Sequence, residues 1–414
     1  MNFPPPDHER SRAAHGPRPR VAYLSGPIDA LKVARELKED RQADYYGTVY
    51  LAQLFSTLEA LNADYLVITT LPGERWRKVS GALTVANIPM TDGLAGAAYH
   101  LAMMRWSIRC IAEIQRFRPK VAILTAGQDY FWMFATLRAS SIRLFASLHC
   151  TLWPKLAPQR AANRFLNHLN GRYFFPACDH IQAVSQDIVG QIVASSTRLP
   201  APPRKFLPTY RAEDFLASTS ADFPDPGRSF RLLYVGRIEE NKGVFDLVAM
   251  MRTLEDVEPG RFCLTICGTG SADRTLAEAV SAARLGQSIT VAGQCDAAQL
   301  AAHYAACHAV VAPTRSTFEE GYAKVVAEAV LNLRPVITSA ACPALADVAD
   351  AAIEARVDDP AAYVDAIRKL ATDPILYAGK VAAAARVRQI YFDQNHSYRA
   401  MIEPALCAVL AVED

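Results

Sequence analysis

The stretch Thr314–Pro335 reads T-R-S-T-F-E-E-G-Y-A-K-V-V-A-E-A-V-L-N-L-R-P. The apolar run Ala309–Ala312 before it predicts a buried strand, which Pro313 ends. Gly321 then opens a predicted helix on which Val325, Val326, Ala329 and Val330 form one apolar face. The intervening loop therefore lies at the C-terminal end of a strand. A helix N-terminus presents unpaired N–H groups and a partial positive charge, so the backbone from Gly321 through Tyr322, Ala323 and Lys324 suits a pyrophosphate. Glu320 and Glu328 flank that anion, and the segment between them spans roughly 12 Å if wholly helical. One carboxylate can accept hydrogen bonds from hydroxyls on one side of a diphosphate, the other from hydroxyls beyond it. A ribose, a diphosphate and a hexose in series have that layout. The same spacing also fits two solvated helix carboxylates, since Glu is common in helices, so the rest of the chain has to decide.

A second anion-binding loop lies upstream. In R-L-L-Y-V-G-R-I-E-E-N-K-G-V-F-D-L (Arg231–Leu247), Val235 and Gly236 end an apolar strand. A guanidinium at Arg237 can make charge-assisted, bidentate bonds to phosphate, and Lys242 adds a compact charge. Neither cation has an evident structural task in the sequence. Gly268-Thr269-Gly270 follows the strand-like Leu264–Cys267, but the third glycine of a dinucleotide fingerprint is missing, its place taken by Asp273. Gly268 is therefore read as a tight turn beside the base of a bound nucleotide, and no nicotinamide cofactor is expected.

Together these motifs resemble glycosyltransferase family 4, retaining enzymes of GT-B fold marked by an E-x7-E motif. The segments L-T-I-C-G-T-G (Leu264–Gly270), I-T-V-A-G-Q (Ile289–Gln294) and R-P-V-I-T-S (Arg334–Ser339) follow in family order. The resemblance is strong over Arg231–Asp350 and weaker before it. It implies that Glu320 contacts the transferred sugar, that Glu328 contacts the ribose, and that Arg237 and Lys242 bind the donor diphosphate. Glu319 does not fit the spacing, because Ala327 follows it eight residues later. The family often has a His after a strand of the first domain, facing the reacting sugar, and His149 after the apolar run Leu144–Leu148 matches it. A neutral imidazole there can both donate and accept. Ala323 and Lys324 replace the family's usual Gly-Leu, and the Gly-Gly loop after the first strand is not evident. Instead Ser25-Gly26-Pro27 ends that strand, and a charged insertion, Leu31–Asp44, precedes Gly47-Thr48.

The organisation of the chain agrees with two α/β domains. At 414 residues and 51 % hydrophobic content it can bury two cores, whereas a single core stops growing near ~250–300 residues. Residues 1–18 are Pro-, Arg- and His-rich and are expected to be a disordered tail. Val21–Leu24, Tyr65–Thr69, Val121–Thr125, Leu144–Leu148 and Ile181–Val184 read as buried strands alternating with helices such as Val49–Leu61, which implies a parallel doubly wound sheet over residues 19–212. A Ser/Asp/Pro/Gly-rich linker is expected at 213–229, a second doubly wound domain at 230–390, and a final helix at 391–414 that crosses back onto the first domain, as the resemblance implies.

Nine cysteines without a C-x-x-C pair make neither a disulfide framework nor a zinc site by spacing. Cys263, Cys267 and Cys295 read as small core residues, and His303 joins no metal-spaced cluster. With no D-x-D sequence present, a metal-independent transfer is expected, the leaving diphosphate being neutralised by Arg237, Lys242 and a helix N-terminus. No hydrophobic leader core and no membrane-length apolar run occur, so a cytoplasmic protein is expected. The net charge of +2 hides an asymmetry: Met1–Pro208 carry 25 Lys and Arg against 15 Asp and Glu, the remainder 19 against 27. The basic half points to an anionic partner, either a phosphate-bearing acceptor or an anionic membrane surface met peripherally; nucleic acid is not expected. On Leu101–Phe117, Arg105, Arg109 and Arg116 fall on one stripe, opposite Met103, Cys110, Ile111, Ile114 and Phe117. The expected partners are a nucleotide-sugar donor and a glycan, lipid-linked or small-molecule acceptor. Alternatives of a different class are a nucleotide-sugar epimerase or hydrolase, and a non-catalytic nucleotide-sugar-binding protein.

Overall fold

The structure is a computed structural model that describes residues 18–39, 49–91, 93–225 and 227–411. Residues 1–17 of the expected tail, and Gly47-Thr48, lie outside the described residues. The first sheet has eight strands: β1 (Arg20–Leu24), β2 (Asp64–Thr69), β3 (Trp76–Ser80), β4 (Leu83–Asn87), β5 (Val121–Leu124), β6 (Arg143–Leu148), β7 (His180–Ala183) and β8 (Arg204–Lys205), in the order β3-β4-β2-β1-β5-β6-β7-β8. The second has six: β9 (Phe230–Val235), β10 (Phe262–Cys267), β11 (Ile289–Gly293), β12 (Ala309–Ala312), β13 (Val336–Thr338) and β14 (Ala352–Glu354), in the order β11-β10-β9-β12-β13-β14. Every pairing in the second sheet is parallel.

Strict alternation along β9 explains how one sheet is covered on both faces. Phe230, Leu232 and Tyr234 join one core cluster, while Leu233 and Val235 join the other. The chain reverses direction across each sheet at its middle, next to β1 in the first and next to β9 in the second. The crevices outside the carboxyl ends of the strands at these points are where such sheets bind ligands.

One expectation is corrected here, and three other segments gain definition. The first sheet is not wholly parallel, because β3 pairs antiparallel with β4 as an edge hairpin turned at Gly81. Its outward side chains, Arg77 and Lys78 among them, gave no apolar run to read. The charged insertion after β1 is in part a helix, Ala30–Lys38, started by Asp29, whose carboxylate accepts the Lys32 N–H. The Ser/Asp/Pro/Gly-rich segment after Ala212 is tied down: Phe215 is buried against Tyr210 and Phe392, and the carbonyls of Thr219 and Ala221 accept from Arg334 and Tyr377. As an ordinary surface helix packed on the sheet does, Gly96–Phe117 buries Met103, Cys110 and Ile114 in the first core. Arg105, Arg109 and Arg116 face outward.

The last helix, Tyr398–Leu410, packs on Val49–Ala60 of the first half. Arg399 N donates to Gln53 Oε1 at 3.0 Å, and Leu207 N donates to His396 O at 2.8 Å. A second tie joins the halves where Lys205 on β8 pairs with Asp347 at 2.5 Å, and Asp347 also accepts from Tyr322 Oη at 2.9 Å. Among the described residues no helix is long and apolar enough to cross a membrane.

Candidate active site between the two sheets

The loop that leaves β9 is shaped by close backbone approach. A Cβ on Gly268 would lie 1.8 Å from the Gly236 carbonyl oxygen, so only glycine lets these two turns touch. Tyr234 Oη donates to the Arg237 carbonyl at 2.8 Å, and a short 3-10 turn, Glu240–Lys242, follows. Gly243 ends that turn at φ 76°, where a Cβ would meet Pro313 O at 2.1 Å. Arg315 N donates to Asn241 O at 3.0 Å. The loops after β9 and β12 are thus fastened together, and that fastening carries the Lys242 ammonium to Glu320.

Lys242 Nζ donates to Glu320 Oε2, and Glu320 Oε1 accepts from Ala323 N at 3.2 Å. The Glu320 side chain is buried within this arrangement. Phe318 lies against both cations, with its ring centroid 4.1 Å from Lys242 Nζ and 5.4 Å from Arg237 Cζ. Arg237 pairs with Glu239 at 2.8 Å. The expectation that neither cation has a structural partner is therefore corrected, since each is held by a carboxylate.

The helix expected to open at Gly321 begins instead at Lys324 and runs to Leu331. The reason is local: Ala323 N–H is taken by Glu320, and Tyr322 Oη is bound between Asp347 and Tyr391 at 2.9 Å each, which holds residues 321–323 outside helical geometry. Ala323 sits at φ 64°, a left-handed conformation that costs an L-residue about 1–2 kcal/mol. Glu328, on the buried face of this helix, accepts from Tyr304 Oη at 3.1 Å. Burial pushes its carboxyl up, and the Lys324 ammonium opposes that shift. Lys324 is itself pushed down to about 8 by burial, partly offset by Glu328. Its Nζ lies 4.6 Å from the Tyr50 ring centroid, across the divide between the halves.

His149 follows β6 and sits among Tyr50, Phe206 and Tyr398, with ring centroids at 4.9, 5.4 and 6.0 Å. Its Nε2 is 3.3 Å from Ser147 Oγ. Burial, followed by the Lys324 charge, pushes it down to about 3, so the imidazole is neutral at physiological pH. Its backbone meets the second half directly, because a Cβ on Gly321 would lie 1.8 Å from His149 O and 3.2 Å from Cys150 Cα. The structure thus brings Glu320, Gly321, Lys242 and Arg237 to one edge of the cleft and His149 to the other. Glu328 has different partners, Tyr304 and Lys324.

Two acidic residues that the sequence reading left without a role lie close to this site. Asp129 lies in the short turn Gln128–Tyr130 just past β5, and burial raises its carboxyl, against the opposing influence of His100. Glu319 is pushed up to about 7 by burial and then by Asp129. The sequence held a signal for Asp129, which follows an apolar strand as His149 does; Glu319 owes its role to a neighbour on the other half of the chain. His100 Nδ1 lies 2.5 Å from Tyr130 Oη and completes a polar wall on this side.

Away from the cleft, Arg334 is buried and donates to four carbonyls, Tyr304 O, Thr219 O, Ala305 O and Leu333 O, at 2.7, 2.7, 3.0 and 3.4 Å. Its place in the R-P-V-I-T-S segment is structural. Cys267 and Cys295 are buried, as expected of small core residues, but His303 lies beside them: one ligand atom from each of the three lies within 4.8 Å of the others. Spacing along the chain concealed this because three separate elements supply the three residues.

Residues 229–373 match the family model described as Glycosyl transferases group 1. No curated protein matches the chain by sequence. Among solved structures, sucrose-phosphate synthase from Thermosynechococcus elongatus is similar at TM-score 0.71 and 17 % identity, covering 96 % of this chain and 100 % of that one. Anabaena HepE in complex with UDP and glucose is similar at TM-score 0.63 and 15 % identity, covering 95 % and 99 %. An E. coli trehalose-6-phosphate structure bound with UDP-2-fluoro glucose is similar at TM-score 0.69 and 12 % identity, again covering 95 % and 99 %. Residues 229–373 thus match a group 1 glycosyltransferase domain, within a chain that shares the GT-B fold of glycosyltransferase enzymes along nearly its whole length.

Proposed function

We propose that the protein moves a sugar from a nucleotide-sugar to an acceptor hydroxyl with retention of anomeric configuration. The observation that carries this reading is the Lys242–Glu320 pair at the β9/β12 crevice, with Arg237 beside it and neutral His149 across the cleft. A diphosphate that displaces the Glu239 partner of Arg237 gains charge-assisted bonds from Arg237 and Lys242, and the start of the helix at Lys324 adds its positive end. Glu320 then receives the hexose hydroxyls, Glu328 the ribose, and Gly268 the side of the base.

In this reading the sugar–phosphate bond breaks as the acceptor oxygen approaches on the same face, and the departing phosphate oxygen takes the acceptor proton. Glu320 orients the sugar and is not a nucleophile. His149 stays neutral and hydrogen bonds near the sugar, and the Asp129–Glu319 wall meets the acceptor. No Mg2+ is required, because the cations that neutralise the leaving group belong to the chain. The basic excess of the first half favours a phosphate-bearing or lipid-linked glycan acceptor, as used in cell-envelope, exopolysaccharide or glycolipid assembly at the cytoplasmic face of a membrane. UDP-sugars are the first donors to try, since two of the similar structures were solved with uridine nucleotides.

The test is release of nucleoside diphosphate from a donor panel with and without acceptors, with the product anomer read by NMR. Acceptor-dependent release and a retained anomer support the proposal. Release at the same rate without any acceptor would instead mean a hydrolase, and conversion of the donor to another nucleotide-sugar an epimerase.

A further inference from the structure

The Cys267, Cys295 and His303 cluster lies outside the machinery described above, and its construction is specific. The register of β10 against β11 shifts between Ile266 and Cys267, so that Cys267 pairs with Gly293. Such irregularities re-aim a side chain at a strand end. Cys295 follows two residues after Gly293, and the chain then enters the helix Ala297–Ala306 through a reciprocal capping box between Asp296 and Gln299. That cap fixes the start of the helix and hence the direction of His303, about two turns along. Cys267 and Cys295 are buried and His303 is half-buried, which leaves one side of the cluster within reach of solvent.

Two thiols and an imidazole converging from three elements are the soft N/S donor set that Zn2+ takes in tetrahedral geometry. Zinc bond lengths of about 2.3 Å to sulfur and about 2.0 Å to nitrogen place tetrahedral ligand atoms about 3.5–3.8 Å apart. The ligand atoms lie within 4.8 Å of one another, which leaves at most about 1 Å for side-chain torsions to close. We propose that Cys267, Cys295 and His303 form a zinc site in the second half of the chain, with water as the fourth ligand on the His303 side.

The site braces the wall of the donor crevice. Cys267 directly precedes Gly268, whose N–H donates to Gly293 O at 2.7 Å. Tyr304, next to His303, holds Glu328 through its hydroxyl and Arg334 through its carbonyl. A metal joining β10, the turn after β11 and this helix therefore fixes three elements that reach the crevice, and it takes no part in bond making. The inference does not depend on the proposed reaction, because metal content is read independently of activity.

The full-length chain, reduced and stripped with chelator, is titrated with Zn2+ against a chromophoric competitor, and retained zinc is measured after gel filtration. The expected result is about one zinc per chain, with affinity lower by at least roughly tenfold in His303→Gln and retention lost in Cys295→Ser. Co2+ in place of Zn2+ gives a thiolate-to-metal charge-transfer band in the wild type that Cys295→Ser lacks. Because His303 is half-buried, His303→Gln is expected to melt at the wild-type temperature without metal, which separates ligand loss from misfolding. Equal zinc retention by wild type and Cys295→Ser, or no retention by either, overturns the proposal. So does a Cys267–Cys295 disulfide that forms in the purified chain and persists in the presence of zinc under mild reduction.

Discussion

The Lys242 ammonium is hydrogen bonded to Glu320 Oε2 across 78 residues of sequence, joining the loop after β9 to the loop after β12. One cation thus stands between the carboxylate assigned to the sugar and the place assigned to the diphosphate. Removing either partner should have different effects on binding and on turnover.

Glu320→Gln keeps the shape of the side chain and removes its charge. Turnover is expected to fall by on the order of 10²-fold or more, with nucleotide affinity changed far less. Steady-state kinetics together with calorimetric nucleotide binding separates the two quantities. Unchanged turnover removes Glu320 from the mechanism.

Gly321→Ala introduces a Cβ that would sit 1.8 Å from the His149 carbonyl oxygen. The two halves must then separate at this contact, and misplacement of about 1 Å can cost ~10²-fold in rate. The expected outcome is a large loss of turnover with circular dichroism unchanged and a larger radius of gyration in solution scattering. Wild-type activity means that the catalytic arrangement does not require this approach.

Glu319 gives the protein a pH dependence with a defined sign. Its carboxyl is raised from the usual value of 4.5 to about 7 by burial and Asp129. The neutral form is therefore favoured in the folded state, and the associated stability, fully present below about 4.5, is lost progressively as pH rises through about 7. The melting temperature of Glu319→Gln should exceed that of the wild type more at pH 8 than at pH 5. A difference that does not change with pH contradicts the assignment.

Parts of this site were legible because their chemistry is local. Arg237 and Lys242 follow an apolar strand and a glycine, and Glu320 and Glu328 keep a fixed spacing, so both loops could be placed from the residues, while their roles came from the family resemblance. The true start of the helix at Lys324 was not, because it depends on Glu320 taking the Ala323 N–H and on Tyr322 being held by Asp347 and Tyr391. The β3–β4 hairpin escaped because its edge strand is exposed and charged. The approach of Asp129 to Glu319, and of Cys267 and Cys295 to His303, arises only when distant strands and helices are brought together.

Transfer should also be indifferent to Mg2+. With a donor and acceptor in hand, adding Mg2+ to enzyme assayed without it is expected to leave the initial rate unchanged. A rate that rises in proportion to bound Mg2+ would mean that Arg237 and Lys242 do not neutralise the leaving diphosphate by themselves.

A nucleoside diphosphate is expected to bind at Arg237 and Lys242, which calorimetric titration of nucleoside diphosphates into the wild type, Arg237→Ala and Lys242→Ala without added metal would measure. One nucleotide should bind the wild type, and each substitution should weaken it by about 2 kcal/mol, roughly 30-fold, the usual worth of a hydrogen bond to a charged group. Equal affinity in all three proteins, or no binding of any nucleoside diphosphate to the wild type, would contradict the account.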